Sequence, residues 1–177
     1  MFKKLSLIGV GLLLSATYTS KSLSSDFFDY EEPIKEEVVS ITKYSQKDIN
    51  CLAKNIYYEA RNESFEGKVA VAQVTINRTN SPKYPAGICE VVYQKTKKDG
   101  VTICQFSWTC LKQYAKMDEY MWEEAKFIAH KVLTDGYSHA KLAKSNALYF
   151  HSKYINPGWN RKYIIAQIGN HIFYGRI

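Results

Sequence analysis

A carboxylate interrupts the apolar face of the first helix predicted in this chain, and this feature most constrains the fold. Ser45 followed by Asp48 resembles a capping box, which satisfies free amide groups at a helix start. Apolar residues then recur at the spacing of an amphipathic helix: Ile49, Leu52, Ala53, Ile56 and Ala60. Glu59 follows Leu52 by seven residues, so the two lie only about 20° apart around the helix axis. The sequence therefore predicts that Glu59 emerges from the buried face or its edge.

The next segment predicts a second, more deeply buried element. Ser64 is a suitable N-cap, and residues 69–76 are apolar on nearly every side. The length and the Ala and Gln content favour a helix, while the β-branched residues leave a central strand as the alternative. We therefore expect a buried helix here.

Two further helices are indicated beyond this point. Residues 88–94 predict a short helix, and the lysine-rich residues 95–100 predict a loop. Residues 118–133 show a clear apolar stripe with acids in the first turn, and Gly136 stops the helix.

The periodicity changes to that of strands near the C-terminus. Residues 147–151 predict a strand, and residues 163–168 and 171–174 predict a hairpin across Gly169 and Asn170. Helices first and strands late predict an α+β domain, mainly helical, with a small antiparallel sheet near the C-terminus.

Charge divides the chain into three parts. Residues 1–25 combine two early lysines with a twelve-residue apolar run, as in an export signal; a retained N-terminal anchor is the alternative. Residues 26–44 hold six acids against two lysines and predict a flexible acidic arm. Residues 45–177 are long enough for one domain with a proper core and carry 19 basic and 11 acidic side chains. This balance of +8 favours a polyanionic surface such as bacterial wall, anionic membrane or nucleic acid.

Four cysteines follow the predicted export segment: Cys51, Cys89, Cys104 and Cys110. An even count in an oxidising compartment predicts two disulfides, although the sequence permits three pairings. We favour Cys89–Cys104, which would close the lysine-rich loop, together with Cys51–Cys110. A zinc site is the rival interpretation, but no Cys-x-x-Cys pair is present. Free buried thiols are the other alternative.

The position of Glu59 indicates acid catalysis. Apolar surroundings disfavour the charged carboxylate, so they raise its pKa and let it hold a proton near neutral pH. Glycosidic cleavage needs such an acid, because the leaving oxygen must be protonated as its bond breaks. The structural alternative is an ion pair with Arg61 or a lysine on a half-exposed face. Glu63 lies one turn later and is interpreted as a structural or surface acid.

Sequence signatures of other chemistries are absent. The four histidines show no metal-ligand spacing such as HExxH, so we predict no metal site and no cofactor. The chain has no glycine-rich phosphate loop, no GxSxG nucleophile and no nuclease metal motif. We therefore expect no nucleic-acid partner despite the positive charge.

Four ordered blocks resemble the SleB-type cell wall hydrolases, a family that includes spore cortex-lytic enzymes. The first block is CLAKNIYYEARNE at 51–63, continued by EGKVAVAQVTINR at 66–78. The others are ICEVVYQ at 88–94, CQFSWTC at 104–110, and ALYFH at 147–151 with PGW at 157–159 and IGNHIFY at 168–174. The resemblance covers roughly residues 48–175. Asn62 departs from it, since the family usually has glycine there; asparagine also tolerates left-handed backbone.

The resemblance implies a lysozyme-like domain acting on the glycan strands of peptidoglycan. Glu59, in the family's Tyr-x-Glu-Ala-Arg motif, would be the essential acid. As a lytic transglycosylase the protein would cleave between N-acetylmuramic acid and N-acetylglucosamine, leaving a 1,6-anhydromuramic end. A water-using muramidase, with Glu63 positioning the water, is one alternative. A non-catalytic wall-binding protein is the other.

We expect six further residues to form the substrate cleft around Glu59: Gln105, Phe106, Ser107, Tyr149, His151 and Trp159. Their partner would be the glycan strand. The expected location is the periplasm or the cell wall and its exterior, as a monomer not inserted in the membrane once the signal is removed.

Overall fold

The computed structural model describes residues 43–111 and 116–177. The predicted export segment and all but the last two residues of the predicted acidic arm lie outside the described residues. Within them the chain forms, in order, α1 (Gln46–Ala60), α2 (Phe65–Thr79), α3 (Ile88–Val92), β1 (Lys95–Lys98), β2 (Val101–Cys104), a 3-10 turn (Ser107–Cys110), α4 (Glu119–Thr134), β3 (Tyr149–Ser152), a second 3-10 turn (Arg161–Tyr163), β4 (Ile164–Ile168) and β5 (His171–Tyr174).

Helix α1 begins with the predicted capping box. The Asp48 amide donates to Ser45 Oγ at 3.2 Å, and the Ser45 amide donates to the Asp48 carboxylate at 3.0 Å. The apolar stripe packs against α2, α3 and α4, and both Leu52 and Ile56 are completely buried. Because Glu59 lies beside this stripe in the last turn, the helix carries its carboxylate to the rim of the core.

Helix α2 is buried on nearly all sides, which confirms the helix prediction for residues 69–76 over the strand alternative. Val69 and Ala72 belong to a core cluster shared with α1 and α4. Val71 and Val74 face a second cluster, formed with the C-terminal sheet. A helix between two cores has no wet face along these residues, and this explains why the segment is apolar all round.

The C-terminal sheet has three antiparallel strands in the order β3–β5–β4. The predicted hairpin is confirmed: Ile168 pairs with His171 across Gly169 and Asn170. Gly169 has φ +56°, a conformation in which a residue without Cβ is favoured. The α+β prediction, mainly helical with a small late sheet, is thus confirmed.

A second sheet, the hairpin β1–β2, contradicts the predicted loop at 95–100. Lys95 pairs with Cys104 and Lys98 with Val101 in an antiparallel register. Asp99 and Gly100 form the turn with φ of 50° and 77°, the positive values that tight hairpin turns require. The prediction failed because the side chains of β1 are all exposed, so no apolar alternation marks the strand.

Helix α4 confirms the prediction for residues 118–133. Asp118 caps it by accepting a hydrogen bond from the Met121 amide at 2.9 Å. A salt bridge of 2.6 Å between Lys68 and Glu124 joins α2 to α4 at a mostly buried position. Among the helices of the described ranges, none is long and apolar enough to cross a membrane.

Two disulfides are present, but the predicted pairing is wrong. The bonds are Cys51–Cys89 and Cys104–Cys110, and no described cysteine is free. Helix α3 packs on α1, which brings the Cα atoms of Cys51 and Cys89 to 5.3 Å. The 3-10 turn after β2 folds Cys110 back so that its Cα lies 6.0 Å from that of Cys104. Both separations suit a disulfide, and the lysine-rich segment is closed by strand pairing instead.

Candidate active site

Glu59 occupies the last turn of α1, partly buried at the rim of the core. Burial there raises the pKa of its carboxyl from the usual 4.5 to about 7, while the charge of Arg78 acts in the opposite direction. The C-terminal end of a helix also offers a carboxylate no favourable dipole. Glu59 can therefore hold a proton near neutral pH and also release it.

Two cavities meet at Glu59. The larger, about 450 Å³, lies between the 3-10 turn after β2, the start of β3 and Trp159. The smaller, about 260 Å³, lies between the end of α1 and the β4–β5 hairpin. Glu59 lines both, so the two open cavities adjoin at this residue.

Five of the six predicted cleft residues line the larger cavity together with Glu59: Gln105, Phe106, Ser107, Tyr149 and Trp159. The structure does not bring the sixth, His151, to this cavity. Its ring lies 5.3 Å from that of Trp159 and faces a neighbouring cavity of about 400 Å³. His151 Nε2 is 3.1 Å from the Tyr174 hydroxyl, and Nδ1 is 2.8 Å from the Ser152 carbonyl. Both ring nitrogens therefore have partners within the sheet.

Arg78, which sequence reasoning did not single out, lines the larger cavity beside Glu59. It is 4% exposed at the end of α2, and its Nε donates to the Leu148 carbonyl at 2.8 Å. Its guanidinium lies 5.2 Å from the Tyr84 ring and 5.1 Å from the Phe106 ring. Burial lowers its pKa, yet an arginine keeps its charge in proteins. An arginine two residues after the apolar run 69–76 was the available signal.

Tyr84 and Tyr149 form the polar side of the Arg78 environment. Burial and a hydrogen bond with Tyr149 raise the pKa of Tyr84 to about 12, although Arg78 opposes this. Tyr84 therefore stays a neutral phenol at physiological pH. This leaves Glu59 as the group in the larger cavity whose pKa lies close to neutral.

Glu63 lines the smaller cavity and is held by the β4–β5 turn. Its two oxygens accept hydrogen bonds from the backbone amide and the side-chain amide of Asn170, at 2.9 Å and 3.0 Å. His171 Nδ1 lies 3.9 Å from Glu63 Oε1, and burial lowers the pKa of this histidine. Glu63 thus joins the end of α1 to the sheet, as expected of a structural acid.

The ion pair between Glu59 and Arg61 that the sequence left open does not form. The Arg61 guanidinium instead lies over the Tyr57 ring, 5.4 Å from its centroid. Behind Glu59, the Tyr58 ring stacks on Trp108 at 4.6 Å, and the Trp108 indole donates to the buried Asn55 side chain at 3.1 Å. These contacts fix the last turn of α1 from within the core.

Metal chemistry has no visible basis in the part of the chain that the structure describes. No group of three or more His, Cys, Asp or Glu side chains there is arranged to hold a metal ion. The chemistry that the arrangement supports is proton transfer by one carboxyl group in a cleft lined with aromatic and amide side chains.

Comparison with known proteins places this cleft in context. The family model described as cell wall hydrolase matches residues 62–174, beginning three residues after Glu59. The spore cortex-lytic enzyme of Oceanobacillus iheyensis is 31% identical over 131 residues, which cover 73% of this chain and 42% of that protein. The corresponding enzyme of Halalkalibacterium halodurans is 30% identical over 149 residues, covering 84% and 41%. The chain spans about two fifths of the length of these relatives.

The fold agrees with a solved structure. The crystal structure of the catalytic domain of the Bacillus cereus SleB protein superposes with a TM-score of 0.50 and 25% sequence identity. The alignment covers 74% of this chain and 91% of that one. The predicted lysozyme-like fold is therefore confirmed. Since the family model matches well over half of the sequence, as the four ordered blocks predicted, the chain belongs to the cell wall hydrolase family.

Proposed function

We propose that this protein cleaves the glycan strand of peptidoglycan between N-acetylmuramic acid and N-acetylglucosamine, as a lytic transglycosylase. The observation that carries the proposal is the position of Glu59, at the junction of two cavities with a pKa of about 7. A carboxyl group with a pKa near the working pH is best able to give a proton and take one back.

One carboxyl group suffices for both halves of this reaction. Protonated Glu59 donates to the glycosidic oxygen as its bond to muramic C1 breaks, and the leaving sugar departs with a free hydroxyl. Glu59, now a carboxylate, accepts the proton of the muramic C6 hydroxyl as that oxygen attacks C1. The product carries a 1,6-anhydro ring, and Glu59 ends the cycle protonated as it began.

The engagement of Glu63 favours this reaction over hydrolysis. Glycosidases that use water rely on a second carboxylate to activate the water or stabilise the intermediate. Among the described residues lining the two cavities, Glu63 is the remaining carboxylate, and each of its oxygens already accepts a hydrogen bond from Asn170. A nucleophile that belongs to the substrate removes the need for such a group.

The lining of the cleft suits a sugar chain. Tyr149 and Trp159 offer aromatic faces to the apolar faces of pyranose rings, while Gln105 and Ser107 offer hydrogen bonds to hydroxyl and acetamido groups. Phe106 is buried in the cavity wall against Arg78. His151 supports Trp159 from behind in this arrangement. The two disulfides support an oxidising, extracytoplasmic location, in agreement with the export signal predicted in residues 1–25.

The decisive experiment is digestion of purified peptidoglycan by the wild type and by Glu59→Gln, with mass spectrometry of the products. Glu59→Gln keeps the shape of the side chain but cannot donate a proton, so turnover should fall by about 10²- to 10⁴-fold. Glu90→Gln, which removes an exposed acid of α3, is the matched control and should digest like the wild type.

Each outcome supports one of three functions. Anhydromuramic ends that depend on Glu59 support the transglycosylase. Reducing muramic ends would replace it by a water-using muramidase. Binding of the wild type to peptidoglycan without cleavage would indicate a wall-binding protein instead.

A further inference from the structure

A third cavity, separate from those at Glu59 and about 540 Å³ in volume, lies between the end of α2, the segment before β3 and the residues after β5. Nothing in the proposed cleavage step uses it. Most of its lining residues are polar; they are Asn77, Asn80, Ser81, Lys83, Ser145, Asn146, Leu148, Gly175 and Arg176.

This cavity adjoins the larger Glu59 cavity along two chain segments. Leu148 lines the third cavity, and the next residue, Tyr149, lines the larger Glu59 cavity. Likewise, Arg176 lines the third cavity and Ile177 lines the larger Glu59 cavity. The two cavities therefore border each other at Leu148–Tyr149 and at Arg176–Ile177. A glycan that runs through the larger Glu59 cavity past Tyr149 and Ile177 would pass beside the third cavity.

The described residues that line the cavity include two cations and no acidic side chain. Lys83 and Arg176 are its ionisable residues, both are exposed, and neither forms a salt bridge with another described residue. The Arg176 guanidinium lies 4.1 Å from the centroid of the Tyr163 ring, so its position is fixed by a contact that leaves its edge donors available. Asn80 and Asn146 add neutral amide groups to the same lining. This combination suits carboxylate groups.

The floor of the cavity is held open by contacts of its own. The Asn77 side chain donates to the carbonyls of Ser145 and Ala147 at 3.3 Å and 3.0 Å, which joins α2 to the segment before β3. At Gly175, a Cβ would lie only 2.8 Å from Asn146 Oδ1. Glycine there lets Asn146 approach the backbone and keeps the opening clear.

We propose that this cavity binds the carboxylate-bearing peptide stem of the glycan whose backbone is cleaved at Glu59. The inference rests on the proposed function, because the stem is attached to the muramic residue of that glycan. Stem peptides end in carboxylates and carry amide groups, which match the paired cations and the asparagines of the lining. The cavity would make the protein prefer glycan strands that still carry their stems.

The test compares two substrates, peptidoglycan glycan with intact stems and the same glycan after an amidase has hydrolysed the stem amide. The stripped glycan keeps only the short lactyl carboxylate of each muramic residue, so the comparison isolates the stem itself. We expect the wild type to show a kcat/KM about 3- to 10-fold higher on the intact glycan, the size that two exposed charge contacts supply. Lys83→Gln/Arg176→Gln should lower that ratio to about one. The matched control, Lys47→Gln/Lys54→Gln, removes two exposed charges of α1 that line none of the four cavities and should keep the ratio.

Two results would overturn the proposal: a wild type that cleaves both glycans equally, or a double variant that keeps the wild-type preference. If the wild type cleaves neither glycan, the proposed function fails, and binding decides the inference alone. Addition of a free stem peptide to Glu59→Gln should then shift the amide NMR signals of Asn80 and Asn146, and the Lys83→Gln/Arg176→Gln changes should abolish those shifts. Equal shifts with inorganic phosphate would show a general anion site and would contradict the proposal.

Discussion

Arg78 lies beside Glu59 in the wall of one cavity. It is a buried cation whose charge attracts the Glu59 carboxylate, although no hydrogen bond joins these two described side chains. The arrangement sets burial against charge. Burial raises the pKa of Glu59 and the arginine lowers it, and the balance falls near neutral pH. A direct ion pair would have kept Glu59 ionised and unable to protonate a leaving group.

The first prediction concerns Arg78→Gln. Removing the positive charge leaves burial as the dominant influence, so the pKa of Glu59 should rise further. Because the protonated form starts the reaction, the descending limb of kcat/KM against pH should move to higher pH. Loss of the guanidinium packing should also lower kcat/KM by about 10- to 100-fold through misplacement of the cleft wall.

Arg78→Lys is the control, because it keeps the charge but not the planar guanidinium. Its pH profile should stay close to that of the wild type, even though its kcat/KM falls. Both variants lose the bond from Nε to the Leu148 carbonyl, so urea unfolding should show a cost of about 1–3 kcal/mol in each. A descending limb that moves to lower pH in Arg78→Gln would contradict the electrostatic role.

The second prediction concerns the stability of Glu59→Gln. The folded state raises the pKa of Glu59 from 4.5 to about 7, so it binds the proton more tightly than the unfolded state does. Ionisation therefore destabilises the fold: the loss is absent below pH 4.5, grows as the pH rises, and is complete above about pH 7. Its full size is on the order of 3 kcal/mol.

Glutamine has no such ionisation, so Glu59→Gln should unfold at higher urea than the wild type at pH 8, with the advantage shrinking toward pH 4.5. Urea unfolding at several pH values measures this difference directly. Glu90→Gln serves as the control for the loss of a carboxyl group at an exposed site. A wild type more stable than Glu59→Gln at pH 8 would show that ionised Glu59 is well compensated in the fold.

The third prediction compares two glycines with left-handed backbone, Gly169 at φ +56° and Gly136 at φ +67°. A Cβ at Gly136 would meet nothing within 4 Å, whereas a Cβ at Gly169 would collide with Glu63 Oε2. Gly136→Ala should therefore cost only the strain of the backbone, about 1–2 kcal/mol. Gly169→Ala should cost about 1–3 kcal/mol more, because it displaces the carboxylate that Asn170 binds.

Urea unfolding of the two alanine variants gives the difference. Equal losses of stability would show that the contact between Glu63 and Asn170 contributes little. We also expect Gly169→Ala, but not Gly136→Ala, to reduce cleavage, since the displaced Glu63 borders the smaller cavity at Glu59.

The helices and the late hairpin could be predicted because each buries one or more faces in the core, and this burial leaves a regular spacing of apolar residues in the sequence. The stripe of α1 identified Glu59 by its angle to Leu52, and residues 69–76, apolar on nearly every side, predicted a buried helix, which the structure shows to lie between two cores. The β1–β2 hairpin was not predicted, because its pairing depends on the Asp99–Gly100 turn and its strands bury no regular apolar face.

Arg78 was not predicted as a site residue for a related reason. Its importance depends on the residues that contact it after packing, and two of these, Phe106 and Leu148, lie far from it in sequence. The disulfide pairing failed likewise, since helix packing decides which cysteines meet. In both cases the missing information was tertiary, not local.

The disulfides provide the last prediction. Cys51–Cys89 joins residues 38 apart and ties α3 to α1, whereas Cys104–Cys110 joins residues only 6 apart. If cross-links act mainly by restricting the unfolded chain, the first should contribute about 4 kcal/mol and the second about 2 kcal/mol. Urea unfolding of Cys51→Ser/Cys89→Ser and of Cys104→Ser/Cys110→Ser measures both, and equal losses would contradict the chain-entropy account.

The shorter bridge flanks Gln105, Phe106 and Ser107 in the wall of the cleft. Its removal should therefore lower the rate of cleavage strongly and the free energy of unfolding only modestly. Removal of the longer bridge should lower the free energy of unfolding strongly and the rate of cleavage only modestly.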